Sequence, residues 1–178
     1  MKKIFACVWA LLLSGVVASS VFAAQTMPST TPHLAGASLH GQSRLRVIVH
    51  VYDTALYVPA GFVVSQAFAQ PIALAIRSAR TVKAHSLVGQ IMKELKRQAL
   101  PAATLAKYEA ELTAVMPAAQ PGDTLTGVYT PSTGWALYFK DQRLAQWNDE
   151  AFGKAFFNIW LGEQTSELGM RSDLLKLK

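Results

Sequence analysis

Cysteine is almost missing from this sequence: Cys7 is the only one, and it sits near the N-terminus. A lone thiol excludes an internal disulfide and leaves no thiolate cluster for zinc. No His, Asp or Glu spacing matches a metal site, and no glycine-rich loop suits a phosphate. The serines are scattered, without the strand–turn–helix setting of a nucleophile elbow. Charge is sparse too. The formal net charge is +6, but no dense Lys/Arg run exists, so nothing marks a nucleic-acid partner. No apolar run reaches the roughly 20 residues that span a bilayer. Stability must therefore come from a conventional apolar core, and a chain of 178 residues is long enough to bury one.

The N-terminus does carry a signal. Lys2 and Lys3 precede an apolar stretch from Ile4 to Leu13, and Val21-Phe22-Ala23 leaves small residues where a signal peptidase reads. Residues 1–23 are expected to be a cleavable signal peptide, cut after Ala23, with a periplasmic destination. Cys7 lies inside the apolar stretch and lacks a lipoprotein-type motif before it. Residues 24–33, polar and rich in Pro and Thr, are expected to be a flexible leader, and 34–178 a single domain.

Within that domain the patterning changes twice. Leu34 to Leu39 reads as a short strand, with a turn at Gly41. Arg44 to Val58 reads as one strand, with Leu45, Val47, Val49 and Val51 on a dry face and Arg44, Arg46, His50 and Tyr52 on the other. A bulge or exit is expected near Asp53. Phe62 to Phe68 suits a short helix and Ile72 to Ser78 a strand. Ala84 to Gln98 is helical, with Leu87, Val88, Ile91, Met92 and Leu95 in one stripe. Pro101 opens a second helix, carrying Leu105, Tyr108, Leu112 and Val115. Thr124 to Thr130, Trp135 to Phe139 and Arg143 to Trp147 follow as a three-strand meander. Asn148 or Asp149 caps a helix through Trp160, and a last helix covers Ser166 to Leu175. Trp135, Trp147 and Trp160 are expected in the core. The order predicts an α+β fold: an antiparallel sheet with a layer of helices on one face.

Four stretches resemble one family. His50-Val51-Tyr52-Asp53-Thr54-Ala55-Leu56-Tyr57-Val58-Pro59 resembles the central strand of chalcone isomerase-like proteins. Arg80-Thr81-Val82 entering a helix fits that family, as does Gly122-Asp123 leading into Val128-Tyr129-Thr130-Pro131-Ser132-Thr133-Gly134. Phe157-Asn158-Ile159-Trp160-Leu161-Gly162 is similar to the end of the domain in its exported bacterial branch. The resemblance implies a ligand cleft between sheet and helices. It also implies one of two modes, closure of a flavanone ring or binding of a fatty acid without catalysis.

In the family's enzymes an Arg stabilises the substrate's negative charge. Its position falls near His40 here, and their strand Thr falls on Tyr52, where the binding relatives also have Tyr. Ile91 and Met92 stand where the enzymes have an Asn. These departures favour a non-catalytic binder of a small apolar ligand, such as a fatty acid or other hydrophobic carboxylate, with no cofactor and no metal. An isomerase or intramolecular lyase acting on an enone, and a module that meets an envelope protein partner, are the alternatives. The candidate ligand-binding residues are Tyr52, Arg44, Arg46, His50, Arg80 and His85, with an Arg fork meeting the carboxylate. The cleft is expected between the helix Ala84 to Gln98 and the strand Arg44 to Val58, with Tyr52 in its wall.

Overall fold

The computed structural model describes Met27 and residues 33–177; the signal-peptide residues 1–23 and all of the 24–33 leader except Met27 and His33 lie outside the described residues. In chain order come β1 (Ser38–Arg46), β2 (His50–Val58), a 3₁₀ turn (Val64–Ala69), β3 (Ile72–Ser78), α1 (Ala84–Arg97), α2 (Ala102–Val115), β4 (Thr124–Thr130), β5 (Gly134–Phe139), β6 (Gln142–Trp147), α3 (Glu150–Leu161) and α4 (Leu168–Leu175). The strands form one antiparallel sheet in sequence order from β1 to β6. The expected α+β sheet with a helical layer is thus observed.

One strand expected from the pattern is two. Arg44 to Val58 is not continuous: β1 and β2 pair as a hairpin, with Arg46 opposite His50 and Leu45 opposite Tyr52. Val47, Ile48 and Val49 form its tip, closed by a hydrogen bond from the Val47 amide to the Val49 carbonyl. The tip carries none of the Gly, Asn or Pro that normally announce a hairpin, so the apolar alternation runs straight through it. Gly41, expected at a turn, lies inside β1. The register slips between Leu39 and Gly41 and again between Leu45 and Arg46, which puts an irregularity before Asp53 rather than at it.

Alternation along β2 and β3 sorts the two faces. Leu56, Val58, Ile72 and Leu74 point toward the helices and are buried with Val88, Ile91, Met92 and Leu95 of α1. Tyr129, Trp135 and Leu137 continue this face across β4 and β5. Aromatic rings bind the helices to it. Trp135 stacks on Trp147 and Phe156, with ring centroids 4.5 and 4.3 Å apart, and Tyr108 stacks on Phe152 at 3.8 Å. Asp149 caps α3, accepting from the Phe152 amide at 2.9 Å. The opposite face is smaller: Ala55, Tyr57, Ala73, Ala75 and Val128, packed with Met27, Leu34 and Ala37.

Gly41 fastens α4 to β1. A Cβ there would fall on the carbonyl oxygens of Leu174 and Asp173, which are backbone and have nowhere to go. Glycine thus permits a main-chain contact that no other residue allows. Gly41→Ala is expected to destabilise the fold by roughly 1–3 kcal/mol, the usual cost of overpacking. Urea unfolding would check this, and an unchanged midpoint would show that α4 is not held there.

Candidate functional site

Period-two geometry divides the candidate residues. Tyr52 and Thr54 project toward the helices; Asp53 projects to the other face. Arg44 pairs with Asp53, so it lies with Asp53 and not with Tyr52. The expectation that Arg44, Arg46, His50 and Tyr52 line one face of one strand is therefore corrected. The hairpin folds the segment back on itself and reverses which residues are neighbours.

On the helix-covered side three helices converge on Tyr52. The Trp160 indole of α3 donates to the Tyr52 hydroxyl at 3.1 Å. That hydroxyl turns its proton to the Met170 thioether of α4 at 3.7 Å, a weak acceptor. Burial pushes the Tyr52 pKa up to about 12, over the opposing effect of the Trp160 hydrogen bond; the negative charges of Glu167 and of Glu94 on α1 add to the rise. The phenol is protonated at neutral pH and cannot serve as a base. It is a donor whose proton rests on a poor partner. Two residues along β2, Thr54 is fully buried and its Oγ1 has no hydrogen-bond partner; a Glu94 oxygen and His40 Nε2 share that condition. The His40 ring meets Phe62 edge-on at 5.1 Å. Ile91 and Met92 lie in the core below.

Two arginines near this layer are engaged through Nε. Arg97 Nε lies 3.7 Å from Glu94 and donates to the Gln164 carbonyl, and Arg171 Nε donates to the Leu161 carbonyl at 2.9 Å.

On the other face the charged residues gather about Asp53. Arg44 Nε donates to Oδ1 at 2.6 Å, His50 Nε2 lies 3.1 Å from the same oxygen, and Arg77 donates to Oδ2 at 3.4 Å. Burial pushes the Asp53 pKa up, but the hydrogen bond from Arg44, the neighbouring charges of His50 and Arg44, and the hydrogen bond from Arg77 hold it below the usual carboxylate range. Arg46 is exposed at the end of β1, Arg80 is exposed where β3 leaves for α1, and His85 is exposed in the first turn of α1. The Arg80 carbonyl accepts from the Ser78 hydroxyl at 2.6 Å, which fixes that junction. A polar cleft of about 260 Å³ opens elsewhere, lined by His33, Asp123, Thr126 and Lys140 among others.

Trp160 is the site residue that the sequence pattern assigned to packing alone. Its signal was available: a buried indole needs an acceptor, and Tyr52 sits at the matched family position.

The Asp53 cluster has a pH signature. A carboxyl whose pKa is depressed by folding stabilises the fold above its unfolded value of about 3.9 and loses that contribution as pH falls through the folded value. Asp53→Asn is therefore expected to lower stability at pH 7 and to flatten its decline below about pH 4. Thermal unfolding of both proteins across this range would show it; parallel curves would mean that the arginines contribute nothing through Asp53.

No curated protein matches this sequence. Among solved structures the fold resembles the crystal structure of an Arabidopsis thaliana fatty-acid binding protein, with a TM-score of 0.57 at 10% identity, covering 80% of this chain and 85% of that one. That likeness is one of fold. A family model described as chalcone isomerase-like matches residues 19–176. With that span and the six-stranded sheet under its helices, the chain belongs to the chalcone isomerase-like family.

Proposed function

We propose that the protein binds a small, largely apolar molecule with an oxygen-bearing head, of the fatty-acid class, without catalysing a reaction on it. It would do so outside the cytoplasm, after loss of residues 1–23. The observation that carries this reading is the Tyr52 hydroxyl. It is half-buried, protonated, oriented by Trp160, and donates to a thioether 3.7 Å away. A ligand oxygen that displaced Met170 would exchange a weak acceptor for a strong one. Methionine suits that exchange, because its unbranched side chain repacks easily. Thr54 Oγ1 supplies a second polar group on the same face, and Ile91, Met92 and Leu95 supply apolar contact at about 0.8 kcal/mol per buried methylene.

The same geometry changes the expected head group. Arg44 and Asp53 lie on the far side of the sheet, while the charges of Glu94 and Glu167 act on the Tyr52 phenol. A carboxylate brought here would meet the negative charges of Glu94 and Glu167, while Arg97 and Arg171 already direct their Nε protons to backbone carbonyls. An uncharged oxygen — a protonated acid, an ester carbonyl or an alcohol — fits better. The structural likeness to a fatty-acid binding protein agrees with the ligand class and is silent on its head.

Calorimetric titration with fatty acids, their methyl esters and the matching alcohols would test this. Affinity should rise with chain length, the esters and alcohols should bind at least as tightly as the anion at pH 7.5, and acids should gain affinity as pH falls. Tyr52→Phe should weaken binding by about tenfold, the loss of one good hydrogen bond, while Arg80→Ala leaves it unchanged. No uptake at any chain length, or equal affinity of the Tyr52→Phe variant, would end the proposal. So would rapid, stereoselective cyclisation of a hydroxychalcone by the same protein.

A further inference from the structure

The β1–β2 hairpin ends in three exposed apolar residues, the middle one almost bare. Ile48 is 96% exposed, Val47 76% and Val49 48%. A chain folding for stability alone places polar turn residues there. The surroundings are cationic. Arg46 and His50 form the last pair of the ladder, and Arg44 stands two residues back. Arg80 joins them, because the neighbouring Ala79 amide donates to the Val51 carbonyl at the base of the hairpin. Arg77 lies one pair inward, opposite Asp53. Asp123, beside Ser78, pairs with Lys140 at 3.1 Å, and nearer the hairpin lie Asp53 and Asp173. Asp53 is held by Arg44, His50 and Arg77, and Asp173 accepts from Ser43.

We propose that this tip docks on an anionic phospholipid surface, Val47, Ile48 and Val49 entering the acyl boundary while Arg46, Arg80 and Arg44 meet the headgroup phosphates. The dimensions favour a bilayer over a protein. Three residues at a hairpin end cover far less than the roughly 800 Å² per partner of a stable protein interface, whereas a lipid surface needs only a point of apolar insertion with cations around it. Planar guanidinium groups suit phosphate oxygens. Each basic residue held near an anionic leaflet is worth about fivefold in partitioning, and burying an aliphatic side chain about tenfold or more. The inference is independent of what the Tyr52 layer binds.

The test places an environment-sensitive fluorophore at the tip through Ile48→Cys, in protein carrying Cys7→Ser wherever Cys7 is retained, and a control fluorophore through Ala60→Cys, in the turn beyond the far end of β2. Vesicles containing phosphatidylglycerol should blue-shift the tip fluorophore and leave the control silent; pure phosphatidylcholine vesicles should do neither. Lipids brominated high in the acyl chain should quench the tip. Val47→Asp should cut the response about tenfold or more, and Arg46→Ala about fivefold, with urea unfolding unchanged in both. A silent tip, a response to neutral vesicles as large as to anionic ones, or a concentration-dependent shift without vesicles would overturn the proposal. The last of these would make the tip a contact between copies of the chain.

Discussion

A residue on β2 faces either the helices or the outer surface of the sheet, and its immediate neighbours face the opposite way. This constraint organises the molecule. Tyr52, Thr54, Leu56 and Val58 are committed to the interior and Asp53, Ala55 and Tyr57 to the exterior. Partial burial of the Tyr52 phenol raises its pKa, while the carboxylate beside it in sequence is carried through the sheet to the arginines outside. A slip of one residue in the register would bury Asp53 without a cation and expose Tyr52, a loss that no packing elsewhere could offset. The two polar centres are products of one alternation, and neither could be moved without the other.

Most of the architecture was readable in the sequence because its signals are local. The stripe of Leu87, Val88, Ile91, Met92 and Leu95 has a helical period, and Asp149 ahead of α3 is a cap whatever surrounds it. The hairpin was not readable for an equally physical reason. Its tip, Val47-Ile48-Val49, has the composition of a buried strand and no turn chemistry, so the alternation from Leu45 to Val51 looks continuous. Side-chain facing then follows from an error in connectivity: Arg44 and Tyr52 belong together only if the strand does not turn. The candidate site suffered in proportion. Tyr52 emerges half-buried, its hydroxyl between Trp160 and Met170, while Arg46, Arg80 and His85 lie exposed outside that layer. A tryptophan on an apolar helix face, as Trp160 is, reads as packing until its indole proton is followed to an acceptor.

Family and fold leave function open, since the same scaffold carries both ring closure and ligand binding. What separates these modes is how the interior handles charge. Ring closure needs a cation positioned where negative charge develops. Here the arginines about Asp53 are across the sheet, and the Tyr52 phenol lies in the field of Glu94 and Glu167. Such an interior offers an oxygen the hydrogen-bond donors of Tyr52 and Trp160.

The thin outer face of the sheet has a practical bearing on the N-terminus. Ala55, Ala73 and Ala75 build a shallow floor, and Met27, Leu34 and Ala37 lie across it, while the His33 ring stacks on Tyr138 at 4.1 Å. An alanine floor leaves depth for a strip of chain but not for a helix. Met27, Leu34 and Ala37 are thus part of the fold's covering. Where a protease trims this end, or an engineer splices an affinity tag, determines whether the alanine floor stays dry. A cut before Met27 keeps all three of these side chains; one after Ala37 removes them from the floor.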